Sequence, residues 1–133
     1  EFKKSLNLER FSSKDEIKGL EFLIKASKMY LENTLINFRK KNHKIIGYGA
    51  SHSTGILVSN LGIAKYIDFL VDENKDKHGL YMPGSSLKVH KTDDLYNSEN
   101  SVALILAWQY FDLIREKLIS NNFKGIIIRP ILP

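Results

Sequence analysis

The feature that most constrains the fold is a short apolar run that ends in two closely spaced glycines. The stretch reads Lys44-Ile45-Ile46-Gly47-Tyr48-Gly49-Ala50-Ser51-His52-Ser53-Thr54-Gly55. Such an order is typical of a buried strand, a tight turn and the first turn of a helix, as at the start of a Rossmann-type unit. Backbone N–H groups and the helix dipole at this turn favour an anion, usually a phosphate. The stretch therefore predicts a nucleotide-like ligand.

A long helix is predicted before this stretch. Ser13 and Glu16 have the spacing of a capping box, in which each side chain bonds the backbone N–H of the other residue. Apolar residues then recur at helical spacing to about Lys41, with Ser27 as a polar interruption: Ile17, Leu20, Leu23, Ile24, Leu31, Leu35 and Phe38. Residues 1–12 lack this pattern and are predicted to be a lead-in, flexible or in part left over from cloning. Since the chain begins without methionine, we expect a fragment of a longer protein.

Short apolar runs alternate with helical segments along the rest of the chain. Strands are predicted at residues 45–48, 66–71, 87–90, 101–108 and 125–128, and helices at residues 52–61, 92–96 and 111–120. This alternation implies a parallel sheet with right-handed crossovers. The prediction is therefore an α/β domain over residues 13–133, with a Rossmann-like sheet of about five strands in the order 3-2-1-4-5 and flanking helices. Its ligand crevice is expected where strands 1 and 4 diverge.

The composition excludes several kinds of site. Without cysteine, the chain has no disulfide, no thiol nucleophile and no cysteine-ligated metal centre. Four scattered histidines give no metal site, and no Ser-His-Asp spacing is recognisable, so neither a metal ligand nor a catalytic residue is predicted. No apolar run approaches the roughly 18 residues of a membrane span. We expect a cytoplasmic protein without a membrane partner.

The formal net charge of +5 is confined to one segment. Residues 1–44 hold 11 basic and six acidic residues, whereas residues 45–133 hold nine of each. Interleaved charges along a helix are typical of a solvated face. No basic stripe with interleaved aromatic residues is present, so we expect no nucleic-acid partner.

Candidate binding residues follow the glycine turn and the second strand. Asp72 ends that strand, where a dinucleotide site holds its ribose, but it can equally cap the next loop. The loop at residues 73–86 is long enough to suggest a function. Its Lys77, His78 and Tyr81 either line a cleft toward a phosphate or sugar, or belong to a solvated loop with Tyr81 as its packing anchor. Trp108 either joins the core or flanks the crevice.

One residue counts against a dinucleotide site. His52 stands where the third glycine of Gly-x-Gly-x-x-Gly is expected. A structural role for Gly47 and Gly49 and a surface position for His52 are the alternatives to ligand contact. Two alternatives for the whole chain stay open: a standalone nucleotide- or dinucleotide-binding module, and a structural or assembly domain that contacts its partner through the long helix.

Five segments taken together point to one family. They are Ile46-Gly47-Tyr48-Gly49-Ala50, Leu61-Gly62-Ile63, the segment 69–84 with Val71-Asp72-Glu73-Asn74 and Lys77-His78-Gly79-Leu80-Tyr81-Met82-Pro83-Gly84, the segment 103–108, and Pro130-Ile131-Leu132-Pro133. They resemble the C-terminal domain of S-adenosylmethionine-dependent sugar C-methyltransferases, which act on nucleotide-linked deoxysugars. The resemblance covers residues 14–133. One difference follows the glycine turn: the family typically has Lys-Gly where Ser53 and Thr54 stand here.

The resemblance implies a division of labour within a longer enzyme. A region with clustered cysteines would hold a zinc ion, a middle domain would bind S-adenosylmethionine and supply the base, and this domain would close the substrate cleft. The expected partners are a nucleotide-linked sugar and the preceding S-adenosylmethionine-binding domain, with no cofactor held by this chain itself. The residues expected at or near the substrate are Gly47, Tyr48, Gly49, His52, Ser53, Thr54, Asp72, Lys77, His78, Tyr81 and Trp108.

Overall fold

The fold is seen in a computed structural model, which describes residues 14–131 of the 133-residue chain. Its elements are α1 (Lys14–Lys40), β1 (Lys44–Tyr48), α2 (His52–Leu61), β2 (Phe69–Val71), β3 (Val89–His90), α3 (Asp93–Tyr96), β4 (Ser101–Ile105), α4 (Phe111–Ser120) and β5 (Ile126–Ile128). Short 3₁₀ turns lie at Ala64–Tyr66, Lys75–Lys77 and Trp108–Tyr110. The predicted lead-in and Ser13 lie outside the described residues, and so does the side chain of Glu16, the other half of the capping box.

The sheet has the predicted topology. Five strands run parallel in the order β3-β2-β1-β4-β5, and β1 pairs with β2 on one side and β4 on the other. The connection from β1 to β2 contains α2, and the connection from β4 to β5 contains α4. The predicted fold class is therefore confirmed, and the connections that leave β1 and β4 at the carboxyl edge pass to opposite faces of the sheet.

Three strands are shorter than the sequence predicted by two or three residues, and the fifth is shorter by one, since it begins at Ile126. The fourth ends at Ile105 and not at residue 108, because the N–H groups of Leu106 and Ala107 both donate to Tyr48 O, at 3.0 and 3.1 Å. Two consecutive N–H groups that share one acceptor break the regular spacing of bonds in a parallel ladder, so the ladder ends here. The second strand begins at Phe69 because a 3₁₀ turn uses the preceding backbone groups, and the third begins at Val89.

Two apolar layers cover the two faces of the sheet. Leu31 and Leu35 of α1 and Leu57 and Leu61 of α2 pack on one face, and all four are almost fully buried. Leu118 of α4 belongs to the layer on the other face. All five residues of β4 are buried, which is expected of a parallel strand with helices on both faces. The core therefore fixes β1 and β4 rigidly beneath the glycine turn.

Gly47, in the middle of β1, is a packing residue. A Cβ atom at this position would lie 2.6 Å from Leu70 Cδ2 and 2.7 Å from Leu106 Cδ1. We expect Gly47→Ala to lower the free energy of unfolding by about 1 to 2 kcal/mol, because two leucine side chains must move within a packed core. Urea denaturation measures the change. The double variant with Leu106→Val should regain part of the loss, and an unchanged stability of the single variant would contradict the tight packing.

Candidate functional site

The glycine turn joins β1 to α2 at the carboxyl edge of the sheet. Gly49 has φ +116°, a backbone conformation that glycine adopts readily, and its N–H donates to Val71 O at 2.8 Å. A Cβ atom here would lie 3.2 Å from both the N and the Cβ of Ala107. Glycine is thus required both for the conformation of the turn and for the close approach of the chain after β4.

Asp72 closes this turn from the end of β2. Its Oδ2 accepts a hydrogen bond from the Ala50 N–H at 2.9 Å, and its Oδ1 accepts one from the Asn74 N–H at 2.8 Å. A turn N–H that would otherwise face a ligand anion is therefore already bound by a carboxylate of the chain. Together with His52 at the third glycine position, this contact counts against a tight dinucleotide site.

The first part of the long loop folds back onto the turn. Asn74 caps a 3₁₀ turn at Lys75–Lys77. Lys77 Nζ donates to Ala50 O at 3.3 Å and lies 3.9 Å from Asp72 Oδ2, while His78 Nε2 lies 2.6 Å from Asp72 O. His78 thus holds the backbone of the loop, and Lys77 places a cation beside the glycine turn.

The second part of the loop runs back along β3. Residues 81 and 88 form an antiparallel bridge, and the N–H of Met82 donates to Leu87 O at 2.8 Å. Met82 is buried and faces Gly55 of α2, where an added Cβ would lie 3.4 Å from its Sδ, whereas Tyr81 remains 60% exposed. The interpretation of Tyr81 as the packing anchor is therefore wrong: Met82 anchors the loop, and Tyr81 stays accessible.

A cavity of about 540 Å³ lies between α2 and this loop, and we call it the α2–loop cavity. Three candidates from the sequence line it together: His52, Lys77 and Tyr81. Its walls also include polar Ser59 and Asn60 of α2, both about two turns beyond His52, which the sequence analysis did not select. Their spacing from His52 on one helix face was the available signal.

A smaller cavity of about 240 Å³ lies where the connections that follow β1 and β4 separate, and we call it the switch-point crevice. The predicted candidates Tyr48, Gly49 and Asp72 line it, together with Glu73, Ala107, Tyr110, Leu113, Ile114 and Lys117. The Tyr48 hydroxyl donates to Glu73 Oε1 at 3.1 Å, and Lys117 forms an ion pair with the same oxygen.

Burial, with a smaller contribution from Tyr96 and Asp72, raises the pKa of Tyr48 to about 12, so its hydroxyl keeps its proton.

Three of the other candidates take part in local packing or capping. Thr54 is buried, and its hydroxyl donates to Ser51 O at 2.7 Å at the start of α2. Ser53 Oγ lies 3.0 Å from Ser51 Oγ. Trp108 is half-buried, packs against the core layer of α1 and α2, and begins the 3₁₀ turn after β4. The linings of the two cavities do not include these three side chains.

The comparison with protein-family models decides the family. The model for the C-methyltransferase C-terminal domain matches residues 7–131. The chain belongs to this family. A search of curated proteins found no significant match. The carboxyl edge of this C-methyltransferase C-terminal domain thus carries two cavities, separated by the turn that Asp72 holds.

Two further observations concern the described residues of the C-methyltransferase C-terminal domain. Between residues 14 and 131, no three His, Asp or Glu side chains are grouped closely enough to hold a metal ion. Over the same range, each helix is too short or too polar to cross a lipid bilayer.

Proposed function

We propose that this domain forms one wall of the substrate cleft of a C-methyltransferase and binds a nucleotide-linked sugar in the α2–loop cavity. The observation that carries the proposal is the position and size of that cavity, about 540 Å³ at the carboxyl edge of a parallel sheet. Small-molecule sites of about 300–1,000 Å³ typically lie at this edge in open α/β sheets. The membership of the chain in the family supports the same proposal.

The lining of the cavity suits a sugar with a charged substituent. Leu80, Met82 and Pro83 supply apolar surface for the ring face, and His52, Ser59 and Asn60 supply hydrogen-bonding groups for hydroxyls. Lys77, whose side chain is 34% exposed, offers a cation to a diphosphate. The wall would fix the orientation of the sugar relative to the rest of the enzyme, and such positioning contributes to the rate of a transfer reaction.

The chemistry of methyl transfer is assigned to other parts of the parent enzyme. The sequence has no cysteine, and the described residues offer no cluster of metal-binding side chains, so a zinc ion does not fit this domain. The turn N–H of Ala50 is taken by Asp72, so we assign no residue of this domain to S-adenosylmethionine. The preceding S-adenosylmethionine-binding domain is then the partner that faces the cleft.

Replacing Lys77 by glutamine is expected to weaken binding of thymidine diphosphate glucose about tenfold, because a hydrogen bond to a charged group contributes about 1.5 kcal/mol. Isothermal calorimetry of the protein with this compound measures the change. Lys75→Gln is the matched control, since Lys75 lies on the same 3₁₀ turn, is exposed and does not line the cavity.

Equal losses in the two lysine variants would mean that only overall charge matters, which contradicts a site in the cavity. A thermal-shift comparison of NAD with the nucleotide sugar distinguishes the proposed function from a dinucleotide-binding module. Stabilisation by NAD without stabilisation by the nucleotide sugar would overturn the proposed function in favour of a dinucleotide-binding domain.

A further inference from the structure

A third cavity, of about 480 Å³, lies at the amino edge of the sheet, and we call it the amino-edge cavity. Its lining includes His43, which precedes β1, Ser101, which begins β4, and Gly125, which precedes β5. Because β1, β4 and β5 are neighbours in the sheet, the cavity extends across the ends of three strands. It shares no lining residue with the α2–loop cavity or the switch-point crevice. The proposed function therefore leaves it without a role.

The loop between α3 and β4 holds the amino-edge cavity in a fixed shape. Asn100 has φ +55°, its carbonyl oxygen accepts from the Lys44 N–H at 3.0 Å, and its Nδ2 donates to Asn42 O at 3.3 Å. Ser98 Oγ donates to Asp94 O at 2.6 Å. The loop is thus bound to the start of β1 at one end and to α3 at the other, so the cavity is formed before a ligand binds.

His43 offers the cavity an oriented hydrogen-bond acceptor. Its Nδ1 lies 3.1 Å from Asn100 O, and Phe38 contacts the ring edge-to-face at a centroid distance of 5.3 Å. Because a carbonyl oxygen can only accept, Nδ1 carries the proton, and Nε2 of the neutral ring has a free lone pair. Among residues 14–131, none bonds to this second nitrogen. A ligand in the cavity can therefore donate an O–H or N–H to His43.

The rest of the lining supplies further acceptors and, at the far end, a cation. Eight of the ten lining residues carry a polar side chain. Glu99 and Lys124 are both exposed, and neither side chain bonds to another described residue. Two strand spacings separate β1 from β5, so the backbones of His43 and Lys124 lie about 10 Å apart. The cavity therefore suits a ligand with hydroxyl donors at one end and an anionic group at the other.

We propose that the amino-edge cavity binds a sugar phosphate, whose hydroxyls donate to His43 Nε2 and to the Glu99 carboxylate while its phosphate binds Lys124. The volume of about 480 Å³ lies within the range of roughly 300–1,000 Å³ that is typical of small-molecule sites. A free sugar would leave Lys124 unused, and inorganic phosphate would meet the repulsion of Glu99 with no hydroxyl contact to offset it.

This inference does not rest on the proposed function. The amino-edge cavity lies at the opposite edge of the sheet from the α2–loop cavity. A sugar phosphate would therefore bind together with a nucleotide-linked sugar and not in its place. Because the two cavities share no residue, Lys77→Gln should leave the binding of glucose 6-phosphate unchanged.

Titration of the ¹⁵N-labelled protein with glucose 6-phosphate tests the site. The amide resonances of Glu99, Ser101 and Ile126 are expected to shift, because all three residues line the amino-edge cavity. The resonances of His52 and Tyr81, which line the α2–loop cavity, should stay unchanged. Thymidine diphosphate glucose should not displace the bound glucose 6-phosphate.

Two variants test the two ends of the ligand. Lys124→Gln should weaken the binding of glucose 6-phosphate about tenfold, because it removes a charged hydrogen bond to the phosphate. Lys41→Gln is the matched control, since Lys41 is exposed at the same edge and does not line the cavity. Glu99→Ala should weaken glucose 6-phosphate about threefold through the loss of a hydroxyl contact, whereas inorganic phosphate should bind equally well or more tightly.

Three results would overturn the inference. The first is a set of shifts confined to His52, Tyr81 and their surroundings, or displacement of glucose 6-phosphate by thymidine diphosphate glucose. The second is an equal loss of binding in Lys124→Gln and Lys41→Gln, which would mean that only overall charge matters. The third is equal affinity of the parent protein for glucose 6-phosphate and inorganic phosphate, which would mean that the hydroxyls make no contact.

Discussion

Replacing Gly125 by alanine is expected to lower the free energy of unfolding by about 3 kcal/mol, at the upper end of the cost of overpacking a core. Gly125 lies just before β5. A Cβ atom at this position would lie 2.3 Å from Ser101 O and 2.5 Å from Phe123 Cζ. The first contact is with a backbone carbonyl at the start of β4, whose five residues are all buried. Relief therefore requires a shift of β4 or β5 and not a change of side-chain rotamer.

Urea denaturation followed by circular dichroism measures this loss. Gly19→Ala is the matched control, because Gly19 lies in α1 with no atom within 4 Å of an added Cβ. That variant should be neutral or more stable by up to about 1 kcal/mol, since alanine has the higher helix propensity. A Gly125→Ala variant as stable as the parent would contradict the close approach of Gly125 to the start of β4.

The order of the strands was predictable from the sequence, whereas their ends were not. Parallel strands alternating with helices leave few arrangements, because crossovers are right-handed and short. The end of β4 depends instead on two N–H groups that converge on Tyr48 O, a contact between positions nearly 60 residues apart. The run that continues to Trp108 is apolar throughout, so hydrophobicity alone could not mark the point where the chain turns away.

The two cavities were predictable only in part, for a similar reason. His52 follows the glycine turn and Lys77 follows β2, so both had to lie near the carboxyl edge of the sheet. The return of the loop that brings Tyr81 to the same cavity depends on the bridge between residues 81 and 88 and on the fit of Met82 against Gly55. Neither contact leaves a periodic signal in the sequence.

The polar edge of the crevice was harder still to foresee. Tyr48, Glu73 and Lys117 come from three separate parts of the chain, and only the packing of α4 beside β1 brings them together. Tyr48 was a candidate because it stands in the glycine turn. Glu73 and Lys117 lie in sequence segments where charged residues are common. Nothing about their spacing distinguishes them from residues that form ion pairs on a solvated surface.

Replacing Asp72 by alanine is expected to lower the free energy of unfolding by about 2 to 3 kcal/mol, because two backbone N–H groups lose their acceptor at once. The donors belong to Ala50 and Asn74, on either side of the turn that the carboxylate closes. Asp72→Asn should lower the free energy of unfolding by less, since the amide keeps one acceptor oxygen. It should still be destabilising, because the NH₂ group of the amide faces the other N–H donor. The exposed Asp76, whose own N–H bonds to Asn74, provides Asp76→Asn as a control for charge on the same loop.

Hydrogen exchange distinguishes a local role of Asp72 from a general one. If the carboxylate holds the turn, the Ala50 amide exchanges faster in Asp72→Ala than in Asp76→Asn, and the amides of β4 change only as far as global stability falls. Equal exchange of Ala50 in the two variants would contradict this role. The contact between Ala50 and Asp72 forms a wall of both cavities. Loosening it should therefore also weaken the binding of thymidine diphosphate glucose, and by more than Lys77→Gln does. A turn that binds its own carboxylate is thus a divider between the two cavities, and in the proposed site Lys77 would be the group that binds the ligand anion.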